Sequence, residues 1–177
     1  SRVTFQKGLN HILDIFPSLL RLDIQLLFMG DGNQEYIQPL KKLQKKFGRK
    51  LVWLPFDDKL ETALYAASDL FLLPSNHEPC GINQLIAMRY GCIPVVREIG
   101  GLYDTVEDYN PATGRGNGFS FQQEDALDFF GAIVRGLENY SHRLSWEALV
   151  KQAMKQSNSW EIPAKKYVQL YRRAKRL

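Results

Sequence analysis

The sequence predicts an α/β fold built on a doubly wound parallel sheet, and three observations carry that expectation. Short apolar runs at residues 25–29, 51–54, 70–74 and 93–96 read as buried strands. Stretches with helical spacing of apolar residues lie between them, so strand and helix alternate along the chain. The clearest unit, residues 70–105, runs strand, loop, helix, strand, and such a crossover joins parallel neighbours. In sheets of this kind ligands sit beyond the carboxyl ends of the strands. Two loops leave that edge, one carrying Glu78 and the other Gly100 and Gly101.

Taken in order, residues 1–9 form a polar loop entering a helix whose apolar positions are Leu9, Ile12, Leu13, Phe16 and Leu20. Arg2 and Lys7 suit phosphate, Arg as a planar fork and Lys as a point charge; in isolation they read as exposed cations. The strand at 25–29 ends in Gly30-Asp31-Gly32, a turn. Residues 34–47 spell a helix stopped by Gly48, with Pro39 an awkward member. After the strand at 51–54, Asp57 or Asp58 is placed to cap a helix over about 59–68. Phe56, at that strand's exit, is either a core residue or a ring presented to a ligand.

The strand at 70–74 leads into Ser75-Asn76-His77-Glu78-Pro79-Cys80-Gly81 and a helix over 82–90, stopped by Gly91. Gly81 allows close backbone approach, and the N–H groups of Ile82 and Asn83 open the helix, where anions bind. Glu78, when ionised, only accepts hydrogen bonds, so it suits sugar hydroxyls or a developing positive charge. A lone Glu beside a helix cap is otherwise an ordinary solvated charge. A short helix is expected over 103–107, then a Gly- and Asn-rich loop at 110–118 and an edge strand at 118–121. Helices follow at 124–138 and 145–156, and Trp160 and Pro163 introduce a last one carrying Tyr167, Leu170 and Tyr171.

At 177 residues the chain is one domain by size. Its net charge of +4 comes largely from Lys41, Lys42, Lys45, Lys46, Arg49 and Lys50, and from a second basic cluster at the C-terminus. No nucleic-acid-binding module accompanies these residues, so they read as solvated helix faces. No apolar run approaches the roughly 20 residues of a membrane helix. Cys80 and Cys92 fit neither a metal pattern nor a disulfide framework, which points to a reducing compartment. The abrupt opening at Ser1 reads as a fragment boundary.

The wording HEPCGINQLIAMRYG, followed by IPVVREIGGLYDTV, resembles the starch and glycogen synthases of bacteria and plants. Their pattern is matched at Glu78, Pro79, Cys80, Gly81, Gln84, Leu85, Tyr90, Gly91, Gly100, Gly101, Leu102, Asp104, Thr105 and Val106. The opening Ser-Arg and Gln-Lys-Gly-Leu, residues 1–2 and 6–9, match a second pattern of that family. The resemblance implies the C-terminal, donor-binding Rossmann-like domain of a GT-B glycosyltransferase, spanning 1–177 with C-terminal helices over about 141–177. It implies transfer of glucose, with retention, from ADP-glucose to the non-reducing end of an α-1,4-glucan. No cofactor or metal is implied, since ADP-glucose is a co-substrate.

Residue by residue, the resemblance gives Arg2 and Lys7 the diphosphate and Glu78 the sugar, with Glu78 a positioning and electrostatic group. Phe56 stands where the family often has a Tyr against adenine. The backbone at Cys80 and Gly81 positions the glucose, Ile82 and Asn83 hold the distal phosphate, and Gly100 and Gly101 complete the donor site. His77 replaces a usual bulky apolar residue, Asn83 a common Thr, and Cys92 a common Thr or Ser. A second reading is a GT-B enzyme using a UDP-sugar; those groups usually carry a second Glu eight positions after the first, where this chain has Ile86. A third is a non-catalytic nucleotide-binding or scaffold domain.

The family's other domain holds a Lys-Gly-Gly loop and most glucan contacts. The resemblance places it, and a first strand of this domain, ahead of residue 1, leaving an unpaired slot in the sheet. A chain of this extent alone is expected to bind nucleotide weakly and to transfer little glucose. The expected partners are ADP-glucose or ADP and the glucan, without nucleic acid or membrane. The expected compartment is bacterial cytoplasm, with plastid stroma the alternative.

Overall fold

The computed structural model describes residues 2–156 and 159–175. The order is β1 (Arg2–Val3), a 3-10 turn (Phe5–Lys7), α1 (Leu9–Leu19), β2 (Leu26–Met29), β3 (Asp31–Gly32), α2 (Gln34–Phe47), β4 (Leu51–Leu54) and α3 (Asp58–Ala67). There follow β5 (Leu70–Leu73), α4 (Asn83–Arg89), β6 (Ile93–Arg97), α5 (Gly101–Thr105), β7 (Phe119–Phe121), α6 (Ala126–Ser141), α7 (Arg143–Lys155) and α8 (Glu161–Ala174).

Every pairing between these strands is parallel: β1 with β3, β2 with β4, and β5, β6 and β7 in that order. Strand β6 is the centre of the last group. Its Val95 packs with Phe119 and Phe129 in the main core, whereas Val96 packs with Leu73, Leu102 and Val106 on the opposite face. Successive side chains of a strand point to opposite faces, so a run such as Ile-Pro-Val-Val is buried only if both faces are covered. Helices α1 and α6 supply one cover and α5 the other, which makes the fold doubly wound. Helix α1 earns its place with Ile12, Ile15, Phe16 and Leu19, all buried on one stripe.

The structure departs from the sequence reading in several places. Residues 31–32, expected as a turn, pair with Arg2–Val3, and Asn33 N–H donates to the Val3 carbonyl at 2.8 Å. That docking draws the N-terminal segment, expected as loop, into β1. Helix α2 continues through Pro39, which forfeits one backbone bond; Ile37 and Leu40, buried against the core, hold it in place. Helix α5 begins at Gly101 rather than 103 and ends before Val106, whose burial with Leu73 and Leu102 draws it into extended backbone. Asp57 is the cap of α3, accepting from Lys59 N–H at 2.9 Å.

The predicted sheet is divided. Among the described residues β2 and β5 are not neighbours in one sheet, and a cavity of about 170 Å³ is lined by both, through Leu26, Phe28, Leu72 and Leu73. The walls that these two strands contribute are apolar. Helix α8 also differs from the other long helices. Its Tyr167, Val168, Leu170 and Tyr171 are exposed, and Trp160, Tyr167 and Tyr171 stack along it at 6.3–6.4 Å between ring centres.

Leu102 links the core to the loops of the sheet edge, because it is fully buried one residue after Gly101. Leu102→Ala is expected to lower unfolding free energy by about 2–5 kcal/mol. Denaturant titration of the two chains measures it, and a loss well under 1 kcal/mol would contradict the packing described.

Candidate functional site

Parallel pairing sets the geometry of the site. The register of Leu70 with Ile93 and Leu73 with Val96 aligns the carboxyl ends of β5 and β6. The Glu78 loop and the Gly100 loop therefore leave side by side. They touch through their backbones: Gly101 N–H donates to the Glu78 carbonyl at 3.1 Å. A Cβ at Gly101 would lie 1.7 Å from the Cys80 carbonyl oxygen, and one at Gly100 would lie 2.3 Å from that of Glu78. No side chain fits there, which is why both positions are glycine.

A buried brace stiffens the contact. The Gln84 amide donates to the Gly81 carbonyl and to Thr105 Oγ1, both at 3.0 Å, and the Thr105 hydroxyl donates to the Gly101 carbonyl at 2.6 Å. Gln84 and Thr105 belong to the matched wording, but their joint role is visible only once the helices are placed.

Lys7 arrives from the other side. The turn Phe5–Lys7 ends at Gly8, whose φ of +67° and closeness to the Pro74 carbonyl seat the turn on the exit of β5. Lys7 Nζ then donates to Glu78 Oε2 at 2.5 Å. Both side chains are largely withdrawn from water, at 22% and 13% exposed, and the Ser75 hydroxyl adds a longer contact of 3.4 Å to the same oxygen. An ion pair so placed leaves a costly unpaired charge if either partner is removed. An anionic ligand would compete with Glu78 for the same ammonium group.

The other predicted residues fall around this pair. Arg2 is exposed on β1, and Arg2, Lys7 and Asn83 border the same cavity. Ile82 is the N-cap of α4 rather than a helical residue, and its side chain is exposed. The Ile82 carbonyl accepts from Leu85 and Ile86, so the amides of Ile82 and Asn83 precede the first bonds of the helix. Gly81 is buried at φ +71°. Phe56 is 46% exposed, which rules out the core reading. Its N–H donates to Asp31 Oδ2 at 3.0 Å, and Asp31 stands opposite Arg2 in the β1–β3 pair. Sequence reading did not single out Asp31, because its partner lies 25 residues away.

The side chain of His77 is exposed. Nucleotide binding by His77→Phe is expected to keep the pH dependence of the parent chain; a displaced profile, measured by calorimetry across pH, would give His77 a part in the site. The two thiols also differ. Cys80 is exposed, whereas burial, with Asp69 nearby, pushes the Cys92 thiol up to about 12. A thiol reagent at about pH 8 is expected to label Cys80 alone in the native chain and both after unfolding. Unfolded, Cys92 ionises near 9.0 while the folded thiol holds its proton to about 12, so its contribution to stability falls as pH rises across that window.

With this geometry established, similarity to known proteins becomes informative. Residues 1–153 match the family described as Glycosyl transferases group 1. The chain is 44% identical over 173 residues to a glycogen synthase of Bacillus anthracis, covering 97% of this chain and 36% of that protein. It is 46% identical over 173 residues to a glycogen synthase of Clostridium botulinum, with the same coverage of 97% and 36%. The catalytic domain of starch synthase IV from Arabidopsis thaliana, bound to ADP and acarbose, superposes with a TM-score of 0.85 at 34% identity, over 98% of this chain and 37% of that one. The chain thus spans little more than a third of the curated relatives named here. The parallel strands with helices on both faces are those of a glycosyltransferase domain, and the chain belongs to the glycosyl transferases group 1 family.

Proposed function

We propose that this chain is the donor-binding half of a starch or glycogen synthase, moving glucose from ADP-glucose to the non-reducing end of an α-1,4-glucan with retention. The observation that carries this reading is the Lys7–Glu78 pair at the carboxyl edge of a parallel sheet. One member suits phosphate and the other suits sugar hydroxyls. The likeness to proteins named glycogen synthase, and to a starch synthase bound to ADP and acarbose, supports the same assignment.

In this reading Arg2 and Lys7 take the diphosphate, with Lys7 released from Glu78 as the donor enters. Their charge neutralises the leaving group as the bond to glucose breaks, which is where electrostatic stabilisation contributes most. The amides of Ile82 and Asn83 receive the distal phosphate. Glu78, with the backbone of Cys80 and Gly81 and the Gly100–Gly101 turn, orients the glucose. Phe56, held by Asp31, presents its exposed ring to the adenine. The acceptor glucan is bound by chain outside this domain, and transfer belongs to the complete protein. The compartment that fits the bacterial relatives and the free thiol at Cys80 is bacterial cytoplasm.

Calorimetric titration with ADP, ADP-glucose and UDP-glucose tests the assignment. Saturable binding is expected for the adenine ligands in preference to UDP-glucose. Lys7→Ala is expected to weaken ADP by about 10- to 100-fold, the worth of a charge-assisted contact. Equal affinity for the uridine donor would favour a UDP-sugar enzyme instead. An unchanged affinity in Lys7→Ala would remove the phosphate role.

A further inference from the structure

His11 is a polar residue buried on the apolar face of α1, and a buried polar group requires a partner. Its Nε2 lies 3.0 Å from Asn76 Oδ1, a residue 65 positions away in the loop that carries Glu78. Asn76 also donates twice to the turn that precedes α1. Its backbone N–H donates to the Gln6 carbonyl at 2.9 Å, and its side-chain Nδ2 donates to the Phe5 carbonyl at 2.9 Å. His77 N–H adds a contact to Gln6 at 3.4 Å.

The chemistry settles how this cluster is protonated. The Phe5 carbonyl can only accept, so it must face the NH2 of Asn76, which turns Oδ1 toward His11. Oδ1 can only accept, so at 3.0 Å it selects the tautomer with a proton on His11 Nε2, over the longer 3.5 Å approach of Asn10 Nδ2 to the same nitrogen. Asn76 is thus pinned at three points to α1 and the turn before it. Lys7 follows Gln6 directly, and Glu78 follows Asn76 by two residues.

We propose that Asn76 and His11 are positioning residues: a clasp that fixes the register of the Phe5–Lys7 turn against the Glu78 loop, so that Lys7 and Glu78 meet before any donor arrives. The functional consequence rests on the role given above to Lys7 and Glu78. Those residues lie 71 apart and on segments with no strand pairing between them. Side-chain pairing alone would leave the loop free to shift along the turn. The clasp replaces that freedom with directional hydrogen bonds, so less ordering is left for donor binding to accomplish.

The test compares His11→Phe, which keeps a buried ring and loses the N–H donor, with His11→Gln, which retains a donor. Amide hydrogen exchange at Asn76 and His77 reads the clasp without any ligand, and core amides such as those of Val95 and Val96 serve as the internal standard. His11→Phe is expected to speed exchange at Asn76 and His77 by about tenfold with core exchange unchanged. ADP affinity should fall by about three- to tenfold, the reach of one hydrogen bond. His11→Gln should recover both. Unchanged exchange at Asn76 and His77 in His11→Phe would overturn the proposal, as would unchanged ADP affinity where Lys7→Ala weakens it. If Lys7→Ala leaves ADP affinity untouched, the phosphate reading fails, and the exchange comparison still decides the clasp.

Discussion

A largely buried ion pair between Lys7 and Glu78 is the interaction on which the site turns. Charges withdrawn from water are costly unless each finds its partner with good geometry. That requirement ties the N-terminal turn to the exit of β5, and the two meet only because α1 is packed firmly onto the core. Phe16 and Leu19 anchor the helix, Gly8 lets its start approach Pro74, and the turn carrying Lys7 is left projecting at the sheet edge. Packing energy in the core thus becomes positional accuracy at the surface.

The second constraint is the backbone contact between the Glu78 loop and the Gly100 loop. It follows from parallel pairing of β5 with β6, which delivers both loops to one edge. It also demands glycine at 100 and 101, since a single Cβ would collide with a carbonyl. Gln84, which makes the brace beneath it, is fully buried, so the loops cannot part without stranding its amide. The edge is therefore organised in advance, with the Lys7–Glu78 pair the part an anion would displace.

Elsewhere the domain is less closed. The exposed aromatic face of α8 is a surface of the kind proteins ordinarily cover. The chain spans little more than a third of the curated relatives named above.

Much of this was determined by sequence alone. The succession of strands and helices followed from local periodicity, and the helix at Gln34–Phe47 and the strand at Leu51–Leu54 fell on the predicted residues. Glu78, Gly100 and Gly101 were legible because the motif lies within one βαβ unit, where neighbours in sequence are neighbours in space. What only the tertiary structure decided were meetings across long separations. These include the ion pair of Lys7 with Glu78, the support of Phe56 by Asp31, and the pinning of Asn76 by His11. The pairing of Asp31–Gly32 with Arg2–Val3 was missed, because those residues read locally as a turn and a loop. The reason is physical. Helix and strand preferences are set by a residue's own neighbours, but a hydrogen bond between distant loops depends on strand register and helix packing, and these are fixed only when the whole core closes.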